Sequence, residues 1–169
     1  MSRDEQFVTL FREQYDRIYN LVLRMHPDRG RAQDITQDIF LKIYRSLESF
    51  EGRANPGTWI YSIAMNHCID QLRKERSAFE TLKKILLGQS GEPRKTEDRI
   101  IDRHLGTEIL AKLSPVNRAL LVLKLYLDLD YHEIGSIMGL TKASVGVQLT
   151  RARREARKIA ERLGIYDEM

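Results

Sequence analysis

The stretch from Asp130 to Lys158, DYHEIGSIMGLTKASVGVQLTRARREARK, decides the fold, because it reads as a short helix, a tight turn and a longer basic helix. Ile134 and Ile137 face inward in the first segment, Tyr131 to Met138, and Asp130 ahead of it is placed to satisfy an orphaned amide as an N-cap. Gly139 stops that helix and Thr141 caps the next. Val145, Leu149, Ala152, Ala156 and Ile159 then recur every three or four residues, the spacing of one helical face. The opposite face carries Lys142, Arg151, Arg153, Arg154, Arg157 and Lys158 against a single acid, Glu155. Such a row of cations suits phosphate oxygens, and guanidiniums suit guanine edges. The unit has the form of a DNA-reading helix-turn-helix. A basic amphipathic helix also occurs as a solvated face closing a bundle, since Arg and Lys favour helix C-termini and surfaces. The preceding turn favours DNA.

With 169 residues and 42% hydrophobic content, the chain holds one medium domain or two small ones. Helical periodicity is extensive and no alternating strand is flanked by hairpin turns, so the expected class is all-α, two small helical domains joined by a flexible linker. The net charge of +4 is concentrated in the C-terminal helix, whereas Asp34 and Asp38 put acids on a helix nearer the start, which suggests two surfaces with different partners. The single cysteine, Cys68, excludes an internal disulfide framework and fits a reducing compartment. The residues from Met1 to Glu5 lack the basic start and apolar core of an export signal. The longest apolar run, Ala119 to Leu129, is too short to span a bilayer and contains Lys124 and Asp128. The expectation is a soluble cytoplasmic protein with no direct membrane insertion.

Phe7, Leu10, Phe11, Tyr15, Ile18, Leu21, Val22 and Met25 predict a first helix from about Asp4 to Met25, ending before Pro27. A second helix carries Ile35, Ile39, Ile43 and Leu47 on one side but Phe40, Leu41 and Tyr44 elsewhere, an apolar surface wider than one packing face needs. The segment EGRANPG, Glu51 to Gly57, predicts a loop. Thr58 is then expected to cap a third helix from Trp59 to about Arg76 that buries Trp59, Ile60, Ile63 and Ala64. From Ser77 to Arg103 the pattern weakens and an interdomain linker is expected. The second domain follows from His104, with helices at Leu105 to Leu113 and Pro115 to Leu127, the latter capped by Ser114.

In order along the chain stand AQDITQDIFLKIYRSLESF (32–50), TWIYSIAMNHCIDQLRK (58–74), LSPVNRALLVLKLYLDLDYHEIGSIMGLTKASV (113–145) and RARREA (151–156). Taken together, this order and spacing resembles an extracytoplasmic-function, or group IV, RNA polymerase sigma factor of the sigma-70 family, built from domains 2 and 4 alone. The resemblance implies domain 2 over 1–76, a linker over 77–103 and domain 4 over 104–169. It implies that Asp34, Gln37 and Asp38, with Phe40, Leu41 and Tyr44 nearby, dock on the clamp helices of core RNA polymerase. The residues agree, since Asp34, Gln37, Asp38 and Leu41 share one helical face on which carboxylates ringed by apolar surface suit a basic helix. The competing role for Asp38 is a pair with Lys42 in its own helix, worth only about 0.2–0.5 kcal/mol.

By the same resemblance, Gly52, Arg53, Ala54 and Asn55 belong to a loop that captures an unstacked base of the −10 element. Asn66 reads a −10 base, while Arg73, Lys74 and Arg76 hold nearby phosphates. An amide offers donor and acceptor to a base edge, and cations hold the backbone. The alternative for Asn66 is an exposed polar helix residue. Lys142, Ser144, Gln148, Thr150, Arg151 and Arg154 are the candidates for −35 contacts. The chain departs from the family at Gly146 and Val147, where polar side chains customarily face DNA, and at Ala54, Asn55 and Pro56 in the loop. Gly146 costs about 1 kcal/mol of helix stability against alanine, and its missing side chain leaves room for close backbone approach to the groove.

The implied function is promoter-specific transcription initiation with core RNA polymerase and promoter DNA as partners, under control of an anti-sigma factor. No cofactor and no metal is expected. His67 and Cys68 are adjacent and point about 100° apart on a helix, and no C-x-x-C or H-x-x-x-H pair exists. No phosphate loop or nucleophile elbow points to an enzyme. A free-standing helix-turn-helix repressor would explain the C-terminus but leave the Asp34 to Tyr44 face unused; a small nucleic-acid-processing enzyme is the other competitor.

Overall fold

The computed structural model describes residues 2–53, 55–87 and 105–165, in which seven α-helices and one 3-10 turn account for the regular structure. The first half contains α1 (Arg3–Met25), α2 (Arg29–Ser46), the 3-10 turn Leu47–Ser49 and α3 (Pro56–Leu87). The second contains α4 (Leu105–Lys112), α5 (Pro115–Leu125), α6 (Tyr131–Met138) and α7 (Lys142–Arg162). The all-α expectation holds among the described residues.

Helix α1 starts on a capping box: the Glu5 amide donates to Ser2 Oγ at 3.3 Å, and the Ser2 amide donates to the Glu5 carboxylate at 2.7 Å. It buries Ile18, Leu21, Val22 and Met25. Asp28 caps α2 by accepting the Arg31 amide at 2.8 Å, and α2 buries Ile35, Ile39, Phe40 and Ile43.

Helix α3 differs from expectation at both ends. It begins at Pro56 rather than after a Thr58 cap: Asn55 Oδ1 accepts the Gly57 amide at 2.8 Å, and the Asn55 carbonyl accepts from Trp59. Pro56 therefore starts the helix instead of excluding it, because the first helical position needs no amide. Nor does α3 stop at Arg76. It runs on to Leu87, since RSAFETLKKILL contains no breaker before Gly88. The first residues of the expected linker are thus helical, while residues 88–104, with the remainder of that linker and His104, lie outside the described residues. Trp59 is half-buried and stacks on Phe50 at 4.5 Å, a lid on the core rather than part of its centre. Met65 and Cys68, not anticipated, are fully buried in its place.

In the second half, Ser114 Oγ accepts the Asn117 amide, as expected, and α5 ends at Leu125, two residues earlier than predicted. Glu155, within the basic stretch of α7, faces α5: its carboxylate accepts the Ser114 amide at 3.2 Å and the Asn117 side-chain amide. A negative charge at this helix N-terminus meets the positive end of its dipole.

The two halves share one continuous core. Helix α3 packs on α5 and α6, α1 packs on α4 and α5, and Met25, Ile60 and Met65 belong to the same buried cluster as Leu113, Leu120 and Ile134.

Candidate nucleic-acid and polymerase interfaces

On α2 the pattern of burial divides the expected docking residues. Asp34, Gln37 and Asp38 are exposed, and Leu41 is 52% exposed on the same face. Phe40 is not part of that surface. It is 2% exposed, and its ring packs against Phe11 (4.8 Å), Tyr15 (5.8 Å) and Phe7 (6.4 Å), which corrects the expectation that its apolar surface awaits a partner. The reason is that α1 crosses α2 on an aromatic seam that sequence periodicity left unassigned. Tyr44 is half-buried at the edge of that seam, with its hydroxyl 2.8 Å from Asp4 and the Arg3 guanidinium over its ring. The Asp38 carboxylate leans toward α3, 3.8 Å from Nε2 of buried His67. Burial, chiefly, pulls the His67 pKa down, with Lys42 adding to it against Asp38.

On α3, Asn66 is exposed and lines an open pocket of about 350 Å³ with Lys42, Arg45 and Asp70. Arg73 and Lys74 are exposed further along. Arg76 is committed elsewhere, because its guanidinium donates to the Leu113 carbonyl of the second half. In the loop, Gly52 adopts φ +67°, a conformation glycine tolerates best, and Arg53 pairs with Glu51 at 2.6 Å. Asn55 serves as the cap described above, and Ala54 lies outside the described residues.

The helix-turn-helix is built as its residues suggest. Asp130 and Glu133 form a reciprocal capping box at the start of α6. Gly139 takes φ +68° at its end, and Thr141 Oγ1 accepts the Ser144 amide at 3.1 Å to start α7. The inward stripe buries Val145, Leu149, Ala152 and Ile159, with Ala156 half-buried. Among the −35 candidates, Lys142, Arg151 and Arg154 are exposed cations. The Ser144 and Thr150 hydroxyls are engaged locally, with Thr141 and with the Gly146 carbonyl, and Gln148 is half-buried. Gly146 does not open the groove side: a Cβ there would touch the Tyr131 ring at 3.5 Å, so the residue faces α6. Val147 is 53% exposed on the outer face and presents a methyl surface of the kind that meets thymine.

Sequence reasoning missed two structural determinants. Gly135 is buried, and a Cβ there would stand 2.5 Å from the Leu140 carbonyl oxygen, so glycine permits the tight turn. Arg118 is 4% exposed, and burial, aided by Arg76 and opposed by Glu75, pulls its pKa down to about 10. An arginine within an apolar helix gives little sign that its charge is internal.

A basic helix-turn-helix joined to a helical half with an acidic and apolar face defines a factor that couples DNA reading to a protein partner. Two family descriptions match accordingly: Sigma-70 region 2 over residues 10–78 and Sigma-70 region 4 over residues 107–155. The chain is 30% identical over 155 residues to the ECF RNA polymerase sigma factor SigW of Bacillus subtilis, covering 85% of this chain and 82% of SigW. It is 31% identical over 166 residues to the RNA polymerase sigma factor CarQ of Myxococcus xanthus, covering 95% and 90%. YlaC of Bacillus subtilis is 28% identical over 162 residues and 94% of each chain. In fold, the chain is similar to the sigma factor RpoE crystallised with the anti-sigma factor NepR from Bartonella quintana (TM-score 0.69, 18% identity, 93% and 98% covered). It is also similar to CnrH in complex with the cytosolic domain of CnrY (TM-score 0.66, 18% identity, 94% and 89% covered). The chain belongs to the extracytoplasmic-function RNA polymerase sigma factors of the sigma-70 family.

Proposed function

We propose that this sigma factor performs its family's task through two separate surfaces. Asp34, Gln37, Asp38 and Leu41 dock core RNA polymerase, with Tyr44 at the margin and Phe40 supporting them from beneath. Asn66, Gly52, Arg53, Ala54 and Asn55 engage the −10 element, and Arg73, Lys74 and, once released, Arg76 hold its phosphates. Lys142, Arg151 and Arg154 lead the −35 contacts, with Ser144, Gln148 and Thr150 beside them and Val147 supplying an apolar contact. Residues 1–76 act as domain 2, 77–103 as the connection and 104–169 as domain 4. The observation that carries this reading is the exposed acidic and apolar face of α2 on the half that does not carry the helix-turn-helix.

The polymerase supplies the bond-making chemistry and this chain supplies promoter choice. Strand opening draws on capture of an unstacked base, which offsets an unpairing cost of a few kcal/mol. The place of action is the cytoplasm; no helix among the described residues is long and apolar enough to cross a membrane. Two sigma factors of similar fold are seen with anti-sigma partners, and an anti-sigma factor is proposed for this one as well. The test is co-elution with core polymerase followed by promoter-dependent transcription. Asp38→Arg should abolish co-elution with the fold intact, while Arg151→Ala should retain it and weaken promoter binding by about 1–3 kcal/mol if it reads a base. Normal co-elution of Asp38→Arg would show that the docking face lies elsewhere.

A further inference from the structure

The outward face of α7 is less polar near its start than the charge of the whole helix suggests. Ala143, Val147, Thr150, Arg151 and Arg154 follow one another at helical spacing and are exposed. Val147 stands opposite the buried stripe of Val145, Leu149 and Ala152, so it occupies the centre of that outward face. Its neighbours there offer hydrocarbon too. The Thr150 hydroxyl turns back to donate to the Gly146 carbonyl at 3.0 Å, which leaves its methyl group outermost, and Ala143 has only a methyl to present. The polar groups nearby are withdrawn. Ser144 is half-buried with its hydroxyl 2.8 Å from that of Thr141, Gln148 is half-buried, and Gly146 faces Tyr131. Exposed cations stand around the strip: Lys142 at the start of the helix, and Arg151 and Arg154 one and two turns beyond Val147.

In a helix-turn-helix the first turns of the second helix meet base edges in the major groove. Guanine and adenine present hydrogen-bonding atoms there and cytosine its amino group, whereas thymine adds a C5 methyl beside its O4. A valine pressed on a purine edge or on the cytosine amino group strips water from polar atoms and returns no bond. Against a thymine methyl it removes apolar surface from water on both sides. The same side chain thus favours one base and penalises the others, and specificity needs both effects. One helical turn, about 6 Å at about 1.5 Å per residue, separates Ala143 from Val147, against about 3.4 Å for one base-pair step. The apolar strip therefore spans more than one base pair.

We propose that Val147 is a specificity-determining residue of the −35 contact, packing on the C5 methyl of a thymine. Ala143 and Thr150 extend the contact to the neighbouring base pair, and Lys142, Arg151 and Arg154 supply the charge that draws the strip into the groove. The inference rests on the assignment of α7 to the −35 element. It commits the protein to an element in which thymine, on one strand or the other, is required for its methyl group and not only for its base pairing.

The test uses holoenzyme, this chain assembled with core RNA polymerase, and duplex DNA selected from a library randomised over both promoter elements. Each thymine of the enriched −35 element is then replaced singly by deoxyuridine, which keeps every hydrogen bond and loses only the methyl. At one or two positions the replacement should weaken binding roughly fourfold, the worth of one buried methyl group. Val147→Ser, at an exposed site, should abolish that preference at the most sensitive position, so that thymine and deoxyuridine duplexes bind alike, while Val147→Ile should keep it. Wild-type holoenzyme that binds every deoxyuridine duplex as well as its thymine counterpart, or a Val147→Ser preference equal to that of wild type, would overturn the inference alone. Holoenzyme that forms and transcribes yet enriches no −35 element would overturn the assignment of α7 to that element, and the inference with it.

Discussion

Gly135 and Gly146, one in each helix of the helix-turn-helix, answer to opposite constraints. At Gly135 a methyl group would meet the Leu140 backbone oxygen at 2.5 Å, and backbone has little room to yield. Gly135→Ala should therefore destabilise the protein by about 1–3 kcal/mol, the usual range for overpacking. At Gly146 the same methyl would make ordinary contact with Tyr131, so Gly146→Ala should be neutral or stabilising by up to about 1 kcal/mol. Urea midpoints of the two variants check both expectations, and a similar loss in each would show that Tyr131 does not accommodate the group. His26 sets a pH dependence. It is 4% exposed, with Nε2 3.2 Å from the Cys68 carbonyl, and burial, chiefly, lowers its pKa from the usual 6.5 despite help from that carbonyl and Glu75. Its folded pKa lies below its unfolded one, so the unfolded chain binds more protons in between. Stability should be full above about pH 6.5 and fall with acidification, by at most about 1.4 kcal/mol per pH unit for each such histidine. His67 contributes with the same sign. Denaturation at pH 7 and pH 5 should show this loss, reduced in His26→Gln.

Among the elements, α3 is the one that joins structure to function. At about 1.5 Å per residue its length is roughly 48 Å, so one helix contributes to the first half's core, carries Asn66 and packs on α5 and α6 of the second half. Its start depends on Asn55, and Asn55→Ala should cost about 1 kcal/mol through loss of the cap. Its far end exposes Phe79, Leu82, Ile85 and Leu86, between 52% and 69% accessible. Substituting Leu82→Ser or Ile85→Ser should therefore change stability by no more than about 0.5 kcal/mol. A large loss would place these side chains against an unrecognised neighbour. At both ends of α3 the local residues are ambiguous out of context. Pro56 reads as a breaker until the helix is seen to start on it, and charged RKER reads as an ending although nothing in it opposes helix.

In the whole molecule, the halves meet through a shared core rather than through a tether alone. Leu113, Leu120 and Ile134 lie in one buried cluster with Met25, Ile60 and Met65, so the chain should unfold in urea as a single cooperative transition, with far-UV and tryptophan signals coincident. Trp59 is the one tryptophan and reports the first half, which makes the comparison direct. Two separated transitions would show that packing between halves adds little to stability.

The sequence by itself determined the helices, the helix-turn-helix with its caps at Asp130 and Thr141, the inward stripe of α7, and the exposed acidic face of α2. Each of these is a local matter, since a cap reaches three residues and a helical face repeats every three or four. Only the tertiary structure decided that Phe40 is sealed under α1, that Glu155 caps α5, that Gly146 faces Tyr131 and that Arg118 joins the ends of α1 and α4. Those outcomes depend on which faces of distant helices meet. A helix's own periodicity states that a face is apolar or charged, but the neighbour that covers it comes from elsewhere in the chain, and burial changes what the same side chain does.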